Sequence, residues 1–534
     1  MRLLKKIKKF WPYVSVILLI VTPWFLHSGY LFFTDNVWGP NIILDWTSSW
    51  FLINLITKAL SFIFSVAFLE KIFISSTLML ILLGGKFFIK TVETKMSSRL
   101  VFVLSLFALF NPFVYDRALY GQFGVLISYG CVFFILAYLY KAWQTLDFKN
   151  LYPAAIFTGL ALMFSVHFIF LLTPLYLLFL ISVFKQHKVW LALLFSLIII
   201  LFINANWLIA LVTSSSPLTN FVEQGITNQD LLAFQTAGKN GGETFTNVIF
   251  MSGFWGKDQM RYLDLTKITG WQRSFIFLMP LIIYGFYLSF KKNKALSFSL
   301  LAIFILAVFL AVGIKSPVTS GLTYFLYNNL PLYKGLREPQ KWVAVIIPIY
   351  LFFISVGMSR LSRFKIAKNN SVLSNILLAA VIIMSAPSLL WGFNRQAAAT
   401  PYPNDWYQVN SFLINRSAES YGCSDRILFL PWHLYQSFKW SGKIIANPAS
   451  TFFTCPVTSG TNMEFGGIYD NSLNPRGKLI NTWLKSKGQS SIPDVRYIIL
   501  AKEVDFNSYL WINKLSYVKA ILETNTLIVY EIKS

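Results

Sequence analysis

Eleven apolar stretches, separated in several places by short loops rich in lysine and arginine, set the terms on which this chain can fold. A bilayer core is about 30 Å thick, and a helix needs roughly 20 apolar residues to cross it, because every backbone N–H and C=O must find its partner without water. The stretches run from Trp11 to Phe33, Ile72 to Ile89, Leu100 to Pro112, Val125 to Tyr140, Pro153 to Val166, Phe168 to Phe184, Val189 to Val212, Phe275 to Phe290, Leu296 to Ile314, Val343 to Met358 and Val372 to Trp391. The third and fifth are short, so about nine to twelve crossings fit the pattern. With 56% hydrophobic residues against 13% charged, a water-soluble globular chain is excluded. The pattern predicts a polytopic α-helical membrane protein of about eleven transmembrane helices.

Charge decides the topology. A net charge of +24 would point to nucleic acid in a soluble protein, but here the cations sit between apolar runs rather than on one polar face, so no nucleic-acid partner is expected. Cytoplasmic loops collect Lys and Arg. With a cytoplasmic N-terminus, that side holds nineteen cations, from Arg2 and Lys5 through Lys90, Lys141, Lys185 and Lys291 to Arg360 and Lys368, against two acids, Glu93 and Asp147. Eleven crossings then place the C-terminus outside. The first apolar run is too long for a signal-peptide core and lacks a small-residue cleavage pattern, so it is expected to stay as a signal anchor, with the mature chain starting at Met1. The Lys-rich start and the lack of a eukaryotic sorting signal fit a bacterial or archaeal plasma membrane.

This layout divides the chain into a membrane domain, residues 1–393, with outer segments 34–71, 111–124, 213–273 and 315–341, and a soluble extracytoplasmic domain, residues 394–534. The run from Trp46 to Leu69 reads as a helix lying in the interface, since a further crossing would invert every later charge assignment. In the soluble part, Arg426 to Leu430, Val495 to Leu500 and Thr526 to Ile532 read as strands and Pro475 to Lys485 as a helix, which predicts an α/β or α+β fold. Cys423 and Cys455 both fall there, on an oxidising side, where a disulfide is compatible; Cys131 lies in a span and reads as a packed hydrophobe.

P-loop, G-x-G-x-x-G, H-E-x-x-H, G-x-S-x-G and paired C-x-x-C motifs are all missing, and the inner loops are too short to hold a nucleotide-binding domain. The chemistry-bearing residues gather instead at the outer ends of different spans. Asp35, beside Asn36 and close to Trp38, is a carboxylate that aromatic neighbours would make more basic, either a general base or a loop anchor. Asp45 is a weaker second acid, best read as a helix cap. The segment Asn111-Pro112-Phe113-Val114-Tyr115-Asp116-Arg117 followed by Gly121-Gln122 is the densest polar cluster at a helix junction; Asp116 and Arg117 either hold neighbouring helices or, for Arg117, grip a phosphate through two oxygens. Tyr333 to Trp342 contains Lys334, Arg337, Glu338 and Lys341, three cations where topology disfavours them, either a salt-bridged loop around Glu338 or a phosphate clamp. His167 stands between two apolar runs, packed or facing the substrate. Trp255 and Trp271 are candidates for stacking on sugar rings.

A long first span, an acidic outer loop, an interfacial helix, many further spans and an exterior C-terminal domain resemble the GT-C class of integral-membrane glycosyltransferases. Residues 111–117 with Gly121-Gln122 are similar to the N-P-F-V-x-[ED]-R…G-Q stretch of the large mycobacterial arabinofuranosyltransferases, and Leu336-Arg337-Glu338-Pro339-Gln340-Lys341-Trp342 to their L-R-N-x-x-K-F turn. The resemblance covers roughly residues 11 to 360; those enzymes carry a larger exterior region, and Asp35 has no second adjacent carboxylate. It implies a polyprenyl-phosphate sugar donor, a cell-envelope glycan or glycolipid acceptor, Asp35 as base, and Asp116, Arg117, Gln122, His167, Arg337, Glu338 and Lys341 as substrate-binding residues. No cofactor is required by it; a divalent cation is compatible, although no compact carboxylate cluster appears. Two other readings stay open on the residues alone: a transporter or flippase of a lipid-linked or anionic solute, and a non-catalytic glycan-binding membrane protein.

Overall fold

The computed structural model describes residues 2–213, 226–267, 271–363, 371–416, 423, 425–461, 475–490 and 494–533. Helix α1 (Arg2–Phe25) opens the chain and ends well before Phe33, the end expected from hydropathy. Gly29, at φ +102°, turns the backbone there, and a β-carbon on it would fall 2.3 Å from the Thr400 carbonyl carbon. The apolar residues that follow are therefore a strand: β1 (Tyr30–Leu31) pairs antiparallel with β2 (Ala399–Thr400).

The short helix α2 (Phe51–Leu60) precedes α3 (Val66–Val92), which begins at the Ser65 cap rather than at Ile72. Hydropathy misses this start because Glu70 and Lys71 interrupt it. Both are buried and partnered: Glu70 Oε2 accepts the Leu31 N–H at 2.8 Å, and Lys71 Nζ donates to the His27 carbonyl at 2.8 Å. Helices α4 (Ser98–Leu109) and α5 (Pro112–Tyr120) meet at a 50° bend, and α6 (Phe123–Thr145), α7 (Leu151–Phe164) and α8 (Phe168–Val183) follow. Helices α9 (His187–Ile203) and α10 (Ala205–Thr213) bend by 77°, and Val372–Ile383 bends by 81° into Pro387–Asn394.

Among the described residues, five helices are long and apolar enough to cross a bilayer, or up to eight if each bent pair is one span; Phe10–Phe25, Phe51–Leu60 and Phe168–Val183 are shorter apolar helices. Length and apolarity thus give a smaller count than the eleven crossings expected. Residues such as Ile181, Leu191 and Phe202 point their apolar side chains outward, as lipid contact requires. The protein is a multi-pass membrane protein.

The carboxy-terminal part carries a five-stranded mixed sheet in the order β6–β3–β7–β9–β8, formed by β3 (Ile427–Leu430), β6 (Val457–Thr458), β7 (Tyr497–Ala501), β8 (Val518–Glu523) and β9 (Leu527–Ile532). Strand β3 is parallel to both neighbours and buried on both faces: Ile427 and Phe429 pack with Trp406 and Phe453, while Leu428 and Leu430 pack with Trp483 and Ile498. This explains its unbroken apolar run. The three expected strands coincide with β3, β7 and β9, and the helix Pro475–Lys485 is present. Cys423 and Cys455 form a disulfide, and Cys131 is buried and free. A hairpin of β4 (Tyr435–Phe438) and β5 (Lys443–Ala446) leans back on the first loop, and Tyr30 and Phe32 join the Trp406 cluster.

Candidate active site

The Asn111-Pro112 pair builds the local frame. Asn111 caps α5, its side chain accepting the Val114 N–H at 3.0 Å and donating to the carbonyls of Phe107 and Ala108, while Pro112 takes the first helical position, where no N–H is needed. Gly121 ends α5 at φ +92°, where a β-carbon would come within 2.8 Å of both Asn36 N and Phe33 Cβ. The acidic loop therefore closes directly on the end of α5, and the Asp35 N–H donates to the Tyr120 carbonyl at 2.9 Å.

From there a hydrogen-bonded chain runs through five more side chains. Gln122 Nε2 donates to Asp35 Oδ2 at 3.2 Å, and Gln122 Oε1 accepts from Arg117, which fixes the amide with its N–H₂ toward the acid. Arg117 is wholly buried; it also pairs with Glu338 Oε2, donates to Gln340 Oε1 at 2.6 Å, and lies 4.4 Å from the Phe254 ring. Lys341 Nζ stands 3.2 Å from Glu338 Oε1 and 3.3 Å from His167 Nδ1. Burial by itself would raise the Glu338 carboxyl, but Lys341 and Arg117 outweigh it and hold it well below the usual carboxylate range. Burial, then Lys341, push His167 down to about 3, so the ring is neutral with Nδ1 placed to accept.

Asp35, at the open end of the chain, is exposed, with each carboxylate oxygen accepting one hydrogen bond from the protein. Desolvation raises it to about 6 against the hydrogen bonds of Tyr435 and Gln122, with Glu338 raising and Arg261 lowering it further. Tyr435 donates to Oδ1 at 2.8 Å. Arg261 is half-buried, donates to Tyr120 Oη at 3.2 Å, and lies over the rings of Tyr120 and Tyr435 at 5.6 and 5.3 Å.

The structure thus brings Asp35, Gln122, Arg117, Glu338, Lys341 and His167 together and leaves two expected members to the side. Arg337 pairs with Asp230 at 2.9 Å and lies 4.3 Å over Phe234. Asp116 turns to Tyr262, whose hydroxyl donates at 3.2 Å, so Asp116 and its neighbour Arg117 take separate partners. Asp45 accepts from Thr47 ahead of α2. Sequence reading passed over Tyr435, Arg261, Asp230 and the role of Gln340. Arg261 had a signal, a cation in an outer segment, the same one that singled out Arg337 and Lys341; Tyr435 had none. No group of three or more His, Cys, Asp or Glu arranged for a metal occurs among the described residues.

No family model matches the sequence, and no curated protein does. Among solved structures, the arabinofuranosyltransferase AftD from Mycobacteria superposes with a TM-score of 0.62 at 11% identity, covering 98% of this chain and 40% of that one. ArnT from Cupriavidus metallidurans in the apo state superposes with a TM-score of 0.51 at 10% identity, covering 97% of this chain and 96% of that one. The chain has a GT-C-like membrane fold. It spans 40% of the AftD chain, and at these identities what is shared is the fold.

Proposed function

We propose that the protein transfers a sugar from a polyprenyl-phosphate donor to a cell-envelope glycan or glycolipid on the extracytoplasmic face of the plasma membrane. The observation that carries this reading is a carboxylate, Asp35, accessible and tuned to about 6, joined through Gln122 to a buried cationic cluster and flanked by a guanidinium, on a GT-C-like fold. The acceptor hydroxyl attacks the anomeric carbon, its proton passes to Asp35, and the anomeric C–O bond breaks with its electron pair leaving on the phosphate oxygen. A carboxylate offers about four lone-pair sites. Two are taken by Tyr435 and Gln122, which leaves room for the incoming hydroxyl.

The distribution of charge supports a different phosphate contact from the one the resemblance implies. Arg117 and Lys341 are both engaged by Glu338, so the triad acts as a fixed element rather than as an open clamp. Arg337 is neutralised by Asp230. Arg261 makes no ion pair among the described residues and stands beside Asp35, which makes it the direct contact for the leaving phosphate. His167 and Gln340 hold the triad in place.

The test is D35N in reconstituted membranes supplied with labelled lipid-linked sugar. Removal of a general base costs on the order of 10²–10⁴-fold in rate. Undiminished transfer by folded D35N would overturn the base assignment, and movement of the lipid without covalent change would replace transfer by transport.

A further inference from the structure

Asp35 is reached by a residue that lies four hundred positions away in sequence, Tyr435, and the way that contact is built says what the carboxy-terminal part does. Tyr435 is the first residue of β4, and its hairpin is fastened to the same loop that carries the acid. The Ala446 N–H donates to the Thr34 carbonyl at 2.9 Å, and Lys443 Nζ donates to the Phe32 carbonyl at 3.1 Å. On either side, β1 pairs with β2, the Tyr402 hydroxyl donates to the Trp38 carbonyl at 2.8 Å, and Asn41 Nδ2 donates to the Phe453 carbonyl at 2.7 Å. Phenol and carboxylate are thus carried by one frame, with backbone bonds on both sides of the contact.

The chemistry of the pair is one-directional. Burial and the nearby Asp35 charge both drive the Tyr435 phenol upward, so it remains a donor. With Tyr435 on Oδ1 and Gln122 on Oδ2, the carboxylate is held at both oxygens by neutral donors and cannot turn about its last bond. The other charged or titratable groups near it are Arg261, which lies over the rings of Tyr120 and Tyr435, Tyr120 itself, and Glu338 behind Gln122.

The geometry points to Tyr435 as a positioning residue for the Asp35 carboxylate, supplied by the β4–β5 hairpin, so that the carboxy-terminal unit completes the candidate active site instead of serving as an appended glycan-binding module. This rests on the reading of Asp35 as the base, and its test uses a readout that does not depend on transfer.

The experiment is an infrared pH titration of the full-length protein in nanodiscs, with the Asp35 carboxyl band identified as the one lost in D35N. A hydrogen bond to the charged form of a carboxylate lowers its pKa, so Y435F is expected to move the Asp35 midpoint upward, by about one pH unit. Y435L, which also removes the hydroxyl, serves if the phenylalanine variant does not fold. An unchanged midpoint in a folded variant overturns the proposal. If D35N transfers sugar normally while Y435F still shifts the midpoint, the base role falls and the positioning contact stands. If D35N abolishes transfer and Y435F leaves the midpoint in place, the base stands and the positioning falls. A transfer assay should follow the same shift in its acid limb, with KM for the lipid donor unchanged.

Discussion

Glu338 and Asp35 belong to one hydrogen-bonded chain, separated by Gln122 and Arg117, yet the protein treats the two carboxylates in opposite ways. Desolvation raises the pKa of both; what differs is exposure, Glu338 being buried and Asp35 exposed, and the partner. Glu338 faces two cations, Arg117 and Lys341, and stays ionised far into the acid range. Asp35 is held by two neutral donors, Gln122 and Tyr435, whose lowering effect, with the smaller one of Arg261, does not cancel desolvation, and it comes up to about 6. Charged partners turn a buried acid into a structural bolt, whereas neutral donors orient an accessible one and leave it free to exchange a proton near neutral pH.

The sharpest way to break the comparison is to unmake the bolt. E338Q leaves Arg117 and Lys341 facing each other without a counter-charge, and losing one partner of a buried pair costs about 3–5 kcal/mol. A large fall in Tm is expected, with partial recovery in E338Q/K341M, where one of the stranded cations is also gone. A Tm near the parent's in E338Q would show that solvent reaches the triad. Stability has a sign here as well: because the folded pKa of Glu338 is depressed, its contribution is present above the ordinary glutamate range and is lost only as pH falls toward the folded value.

Next in size is Arg261. If it alone offers its guanidinium to the departing phosphate, R261Q should lower transfer on the order of a hundredfold with little change in Tm, and R261K should recover part of it. Equal activity in R261Q and the parent would hand the role back to Arg117 and Lys341. Below these lies the pH profile. Transfer needs Asp35 ionised, so the rate should fall about tenfold per pH unit below about 6 and be level just above it. A limb near 4 would mean that substrate or bulk water restores the ordinary carboxylate environment.

Much of this could be read from the residues, and the failures have physical causes. Hydropathy and charge mark the membrane class because the bilayer constraint is local: each span answers for its own backbone. The same scale extends α1 to Phe33, since Tyr30 to Phe33 are apolar; that Tyr30 and Leu31 form a strand depends on Gly29 meeting Thr400, a contact with no local trace. In the site, Arg117, Glu338 and Lys341 are visible because charged groups at helix ends are costly and so stand out, and Gln122 because it follows Gly121 in the same polar cluster. Whether Arg117 bound phosphate or Glu338 was undecidable from spacing, because the partner comes from more than two hundred residues away. Tyr435 was invisible for the opposite reason: a tyrosine is ordinary everywhere, and only its position over Asp35 gives it meaning.

The smallest effect, and the most specific, is expected at Gly121. Its φ of +92° is a conformation a side chain resists, and a β-carbon there would meet Asn36 N and Phe33 Cβ at 2.8 Å. G121A should cost about 1–2 kcal/mol in stability, a modest drop in Tm. Because the clash pushes the acidic loop off the end of α5, it should also lengthen the contact between Gln122 and Asp35 while Tyr435 moves with the loop. The charged form then loses one of its two donors, and the acid limb of transfer should rise by less than it does in Y435F. Should G121A lower Tm while the limb stays at about 6, the amide would be a spectator, and the tuning of Asp35 would lie with the carboxy-terminal hairpin.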